Sequence, residues 1–466
     1  MRKFSFKSEL FVWIFILAYI AVFSIFTVLR HHRFETAAWD LGIFDQSFWN
    51  ALHGRGFTNT LELVPNHLGV HFSVFLYLLL PIYALFSSPD CLLIVQTIAL
   101  ALGAWPVFLI GRKMFPVGPW PVLLSLAYLL FPSLEWTNTF DFHEIAFFIP
   151  LFIFAIYFLL EEKWRWMTLF LILSGSTKED SILVIFFLAL YLFREPKTRK
   201  MGSMIMLISL ASFLMITRVL MPLFGGGLLF LDRYDFFHPL QIFESAKFSY
   251  LFWLFFPVLF LPLLFPASLL LLLVGLAENI LTNYKYQFSG RFHYDSILIP
   301  GIIFGAAMGL LRLLKFLPRI DRPMRWVFVS VVLISFLIRS PLMDFNFSTI
   351  FLHKESQNSI MRTLTEQIPE DVSIAANTYL IPHLTHRKEI YLLGREPKPA
   401  DLVLVDSHDD FGFSHSQEFQ KYVDQYAKND LYESRVIAKR FIFLFRKVRR
   451  GYFATILDDA KARDLQ

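Results

Sequence analysis

The apolar positions of this chain gather into long blocks, not into the alternation or the single helical stripe of a water-soluble protein. The first block runs from Leu10 to Leu29 without a charge. Others lie at about 69–87, 91–110, 118–133, 145–160, 166–176, 180–193, 203–222, 249–264, 266–280, 297–314 and 326–342. A helix crosses hydrocarbon with roughly 20 apolar residues, so the pattern predicts a membrane all-α bundle of about eleven transmembrane helices. After about residue 343 charges spread throughout and the apolar runs shorten. Val372–Ala376, Glu389–Leu393, Leu402–Asp406 and Phe441–Phe445 read as strands, and Ser356–Gln367 and Gln417–Lys428 as helices. The expected organisation is therefore a transmembrane domain over 1–342, with an outer loop of interfacial helices at 30–90, and a small soluble α/β domain over 343–466.

Charge sets the orientation. Arg2, Lys3 and Lys7 precede the first block, and Arg30-His31-His32-Arg33 follows it with no small-residue cleavage site. This reads as an uncleaved first span with a cytoplasmic N-terminus. If every later block crosses, Arg112 and Lys113 fall outside and the alternation inverts. If block 69–87 only dips into the membrane from outside, the basic residues sort to the cytoplasm: Arg112 and Lys113; Lys163 and Arg165; Arg194, Lys197, Arg199 and Lys200; and the Arg312–Arg325 stretch. His67, His71 and Pro81 favour the broken, dipping element. The outer face then carries the 30–90 loop, Glu135–Glu144, Ser176–Asp180, the loops 223–248 and 281–296, and the C-terminal domain, on a multi-pass protein of the cell (inner) membrane.

Composition agrees with a membrane class: 56% of the 466 residues are hydrophobic and only 17% charged. The net charge of +5 gives no reason to expect a nucleic-acid partner. With one cysteine, Cys91, no internal disulfide is possible. There is no Walker loop, dinucleotide fingerprint or zinc-protease motif. Gly225-Gly226-Gly227 lacks a strand–turn–Lys context and reads as a flexible turn.

Polar clusters at the ends of the blocks are the candidate chemistry. Asp40 and Asp45 follow the first span in Trp39-Asp40-Leu41-Gly42-Ile43-Phe44-Asp45. They read either as a general base or metal ligand, or as the wet face of an interfacial helix. Asp141, His143 and Glu144 put three potential ligands into four residues, a chemistry suited to Mg²⁺, Mn²⁺ or Zn²⁺, with helix capping by Asn138 or Asp141 as the alternative. Lys178-Glu179-Asp180 stands between two short apolar blocks, as a polar pocket able to meet a lipid phosphate or as a tight turn. Arg291, His293 and Tyr294 lie in a loop where the arginine could grip phosphate. In the soluble domain, Asn377, His383 and Arg387 belong to a polar strand-to-helix junction, for which structural capping is the simpler reading.

Taken in order, "WDLGIFDQSFWN", "HFSVFLYLLLPIY", "DFHEIAFFIPL", "TKEDSIL", "FHYDSILIPGIIFGA" and "AANTYLIPHLTHRKEIYLL…ADLVLVDSHDD" resemble the membrane proteins grouped as domain-of-unknown-function family 2079. The layout of that family resembles the GT-C superfamily of membrane glycosyltransferases, which take a sugar from a polyprenyl-phosphate donor on the outer side of the membrane. The resemblance implies a GT-C-like bundle and a membrane glycosyltransferase, with a polyprenyl-phosphate-linked sugar donor and membrane lipids as partners and the acceptor undefined. It implies Asp40, Asp141 and Glu144 as catalytic acids and Lys178 and Arg291 at the donor phosphate. A divalent metal, Mg or Mn, would sit on Asp40, Asp141, His143 and Glu144. Asp45, His71, Glu179, Asp180, His293, Tyr294, Asn377, His383 and Arg387 would be supporting residues. The first loop departs from the pattern in lacking adjacent paired acids, and the second motif carries an inserted histidine. Two other classes remain beside the enzyme: a transporter or lipid flippase, which would place its charges near the bilayer midplane, and a non-catalytic membrane assembly protein.

Overall fold

The protein is described here by a computed structural model over residues 6–234, 243–344, 356–437 and 440–447. It is mostly helical and divides into two compact units. The first comprises Met1–Thr27, Leu68–Leu79 and Leu93–Thr349; the second comprises Val28–His67, Leu80–Leu92 and Ile350–Gln466.

The first unit is a helical bundle. Four helices among the described residues are long and apolar enough to cross a membrane: Lys7–His32, whose last turn enters the second unit, Pro89–Met114, Arg199–Leu223 and Ile299–Phe316. Shorter apolar helices occur at Leu76–Leu85, Trp120–Leu129, Glu144–Leu160 and Pro266–Leu281. The core is a continuous apolar cluster in which Val12, Ile16, Phe108, Phe152, Leu272 and Ile302 are each fully enclosed. Elsewhere large apolar side chains face outward, as in Leu207 at 70% and Leu223 at 75% exposure. Water would penalise such a surface, whereas lipid would not.

Block 69–87 is broken in the structure. A four-residue helix, His67–Val70, is followed by irregular chain and then by the ten-residue helix Leu76–Leu85, which contains Pro81. Ten residues rise about 15 Å, half the hydrocarbon thickness. The Gly225-Gly226-Gly227 segment is a packing point and not merely a flexible turn. The Gly227 amide donates to the Gly69 carbonyl at 3.0 Å, and Gly226 meets the Gly69 backbone so closely that a Cβ could not fit. The rest of the expected loop 223–248 lies partly outside the described residues.

The second unit is built on a five-stranded mixed sheet: β1 Ile374–Ala376, β2 Ile390–Leu392, β3 Leu402–Asp406, β4 Tyr432–Ile437 and β5 Phe441–Arg446, in the order β2-β1-β3-β5-β4. β1 pairs in parallel with β2 and β3, while β5 runs antiparallel to β3 and β4. Both faces of the sheet are covered, which is why β3 is apolar along most of its length, Leu-Val-Leu-Val before Asp406, and does not alternate. Ile374, Leu402, Leu404 and Phe443 pack on one side with Leu364 of helix Ser356–Gln367. Ala375, Val403, Val405 and Leu444 pack on the other with Phe419 and Val423 of helix Ser416–Ala427. The sequence reading did not include β4, an edge strand whose middle residues are exposed.

The first outer loop joins this unit. Phe34, Ala38, Ile43 and Leu61 enter the same apolar cluster as Ile381 and Leu384. The Ala38 amide donates to the Thr378 carbonyl at 3.0 Å, and Gln46 Nε2 to the Arg387 carbonyl at 3.2 Å. The composition break near residue 343 does not reveal that these distant stretches fold together.

Candidate functional site

In the first unit the loop Thr177–Asp180 ends one helix, Trp164–Gly175, and starts another, Glu179–Arg194. Lys178 has extended backbone there, and its ammonium lies 2.9 Å from Asp180 Oδ2. Burial pulls the lysine pKa down, but the charges of Asp180, Glu179, Glu278 and Glu144 outweigh it and raise the pKa above the ordinary lysine range. The cation therefore stays charged within an acidic nest.

Glu179 faces the broken element. His71 Nδ1 bonds its Oε1 at 3.0 Å, and the Phe72 amide donates to its other oxygen at 2.9 Å. The Phe75 amide donates to the Ser176 carbonyl at 3.0 Å. His71, Glu179, Lys178 and Asp180 are thus brought together. Glu278, which the sequence reading missed, joins them electrostatically from helix Leu269–Leu281. Its signal was available: a carboxylate inside an apolar block marks a functional candidate.

The second acidic loop is held from behind by Gln96 of helix Pro89–Leu102. Gln96 Nε2 donates to the Asp141 carbonyl and its Oε1 accepts the His143 amide, both at 2.7 Å. Asp141 adopts a positive φ of 52°, a conformation that aspartate tolerates better than most residues. Asn138 lies inside helix Pro132–Thr139 and accepts from Thr97 Oγ1 at 2.9 Å; it is not a helix cap. Asp141, His143 and Glu144 are all buried. His143 stacks on His293 with ring centroids 3.7 Å apart. Burial first, then the facing His143 and the Lys178 charge, hold the His293 pKa well below the usual histidine range. Among the described residues no three His, Cys, Asp or Glu side chains form a group that could hold a metal ion.

Arg291 belongs to the loop that follows helix Leu269–Leu281. Its guanidinium lies over the Trp136 ring at 5.6 Å, and its charge bears on Arg339. Tyr294 packs on His293, and its carbonyl accepts from Asn279 at 3.3 Å. The adjacent Asp295 is buried and accepts from Ser133 and Tyr250 hydroxyls, both at 2.7 Å.

In the second unit Asp40 is half-buried on a π-helical turn, Ala38–Gly42, a form often found at functional sites. Asp45 is fully buried. It accepts from Tyr83 at 2.7 Å and from Thr385, and lies 3.2 Å from His386 Nε2. Burial works against protonation of His386, but Asp45 prevails and raises its pKa. Tyr83 carries no signal in the sequence, while His386 falls within the polar junction Asn377–Arg387 without a role assigned to it. The three junction residues have structural partners. Asn377 Oδ1 accepts the Asp406 amide at 2.7 Å. Arg387 Nη1 donates to the Pro369 and Val372 carbonyls at 3.0 Å, with burial lowering its pKa to about 10. His383 stacks on His31 at 4.1 Å.

Blocks of apolar helix and an outward apolar surface mark a multi-pass membrane protein. The chain matches the family described as "Predicted membrane protein (DUF2079)" over residues 30–436, and it belongs to that family. Two solved structures share the fold. Both are ArnT of Cupriavidus metallidurans, one bound to undecaprenyl phosphate and one in the apo state. The first has a TM-score of 0.57 at 10% identity, covering 93% of this chain and 97% of that one. The second has a TM-score of 0.55 at 12% identity, covering 94% and 98%. Curated proteins give no match.

Proposed function

We propose that this chain is a membrane glycosyltransferase that moves a sugar from a polyprenyl-phosphate donor to an acceptor hydroxyl on the outer face of the cell membrane. The observation that carries the reading is the fold, shared along nearly the whole chain with a protein solved bound to undecaprenyl phosphate. In this reading the N-terminus is cytoplasmic, residues 343–466 are extracytoplasmic, and shorter helices complete the set of about eleven spans.

The chemistry needs a base to take the acceptor proton as its oxygen bonds the anomeric carbon. The bond from that carbon to the donor phosphate oxygen then breaks, and the phosphate leaves with the electron pair. Asp40 is proposed as the base: it is a carboxylate left half-accessible on a turn that is anchored to its surroundings. Asp141 and Glu144 are proposed as assisting acids. Lys178 enters as a constrained cation whose pairing with Asp180 must loosen if it is to meet phosphate. The test is transfer of radiolabelled sugar from polyprenyl-phosphate donors in proteoliposomes. Transfer supports the reading; solute uptake without transfer from any donor would replace it with a transporter.

A further inference from the structure

The first unit contains a second polar site that the reading above does not use. A cavity of about 620 Å³ opens beside helix Ser245–Phe255. Lys285 and Arg339 line it together with Ser245, Ser249, Tyr250 and Trp253; the acidic residue in its wall is Glu244. Among the described residues neither Lys285 nor Arg339 forms a salt bridge. Arg339 lies over Trp253 at 5.4 Å, and Arg291 lies over Trp136 at 5.6 Å. The Trp136 indole in turn donates to the Arg339 carbonyl at 2.7 Å. The two guanidinium charges act on each other.

This arrangement contrasts with the Lys178 nest. There one cation is surrounded by carboxylates. Here Lys285 and Arg339 face one cavity, the Arg291 charge bears on Arg339, and the buried Asp295, already bonded to Ser133, Tyr250 and Asn279, offsets that repulsion at Arg339. Stacking on an indole fixes the plane of a guanidinium while leaving its N–H edges for an acceptor. Arg339 uses one such edge on the Ser289 carbonyl at 3.1 Å. A doubly charged anion with several acceptor oxygens completes a site of this kind, and serine hydroxyls on its wall add neutral donors.

We propose that the Lys285–Arg339 cavity, with Arg291 beside it, binds a phosphate group carried either by a lipid headgroup or by a soluble molecule. The assignment is independent of whether the chain transfers sugar, because binding is measured with no sugar present.

The test uses the full-length protein in zwitterionic detergent, with radiolabelled undecaprenyl phosphate and radiolabelled inorganic phosphate as separate probes. Saturable binding is expected for at least one. It should weaken about tenfold or more in Arg339→Gln and in Lys285→Gln, as loss of a charge-assisted hydrogen bond requires. Arg339→Lys should recover only part of the loss, since it keeps the charge but not the planar fork. Binding of the lipid alone identifies a headgroup; binding of inorganic phosphate alone identifies a soluble ligand; either supports the site. Failure of both probes to bind, or binding unchanged in Lys285→Gln and Arg339→Gln, overturns it. Lys285 is exposed, so its variant carries the test even if Arg339→Gln misfolds.

Discussion

The His71 imidazole bonds the Glu179 carboxylate at 3.0 Å, linking residues 108 positions apart. The contact ties the broken element to the loop that presents Lys178. Glu179 also accepts the Phe72 amide at 2.9 Å, so one side chain satisfies both a ring and a main-chain donor. Removing one partner of a buried pair typically costs about 3–5 kcal/mol, because the other is left uncompensated. Glu179→Gln is therefore expected to lower the melting temperature of the detergent-solubilised protein by several degrees. An unchanged melting curve would show that the contact does not hold the element in place.

The nest around Lys178 makes a sharper prediction. Lys178→Gln leaves Asp180 without its 2.9 Å partner and the neighbouring carboxylates without a nearby cation. The single change is expected to destabilise by a few kcal/mol, on the scale of a broken buried pair. Adding Asp180→Asn is expected to restore part of that loss. Thermal unfolding of the two single variants and the double variant measures the coupling, and strictly additive losses would contradict it.

In the second unit, His383 carries a pH dependence. Its ring is packed between His31 at 4.1 Å and Phe34 at 3.9 Å, and its Nε2 is enclosed without a hydrogen-bond partner. Burial, with His32 and Arg362 adding repulsion, lowers its pKa from 6.5 to about 3. Below pH 6.5 the unfolded chain takes up a proton that the folded one refuses. Stability is therefore full above about pH 6.5, falls as pH drops toward 3, and levels off below that. His386 works in the opposite sense: its raised pKa adds stability at low pH that is lost as pH rises through the folded value. His383→Phe is expected to flatten the acid limb, as read by melting temperature against pH for both proteins.

How much of this was written in the sequence varies with the kind of signal. The membrane class follows from block length, and helix Ser356–Gln367 and strand Leu402–Asp406 are read to the residue because their apolar patterns are local. Strand Tyr432–Ile437 was missed because Tyr-Glu-Ser-Arg at an exposed edge carries little apolar pattern. His71, Lys178, Glu179 and Asp180 were all flagged as charges near a span, and the structure joins them. The partners of Asp45 were not legible. Tyr83 sits in an apolar block and His386 some 300 residues further on, and no spacing rule links positions so far apart. Of the Arg339 cavity, only the Ser289–Asp295 loop with Arg291 was legible as a phosphate contact; Lys285 and Arg339 come from separated segments without a motif.

Orientation can be checked directly. In a Cys91→Ala background, a cysteine at position 116, after Arg112 and Lys113, is expected to resist a membrane-impermeant thiol reagent applied to intact cells. One at position 398, exposed in the loop before β3, is expected to react. Both follow from the sorting of basic residues to the cytoplasm. Labelling at 116 from outside would invert the proposed topology and with it the side on which Asp40 works.

Asp40→Asn bears on the mechanism most directly. Asp40 is half-buried on the π-helical turn Ala38–Gly42, whose first amide donates to the Thr378 carbonyl at 3.0 Å. The turn is thus fixed to the sheet-bearing unit while the carboxylate keeps some access, as a base that must meet an acceptor hydroxyl requires. Asparagine preserves size and hydrogen-bonding capacity but cannot take the proton. If Asp40 is the base, transfer from a polyprenyl-phosphate donor should fall by roughly 10²–10⁴-fold. The amount of folded protein in the membrane should not change, since a partly exposed carboxylate contributes little to stability. Asp45→Asn is the control for a structural effect: Asp45 is fully enclosed by Tyr83, Thr385 and His386, so its loss should reduce folded protein first and activity in proportion. Wild-type transfer by Asp40→Asn would remove Asp40 from the chemistry and move the search for the base to Asp141 and Glu144.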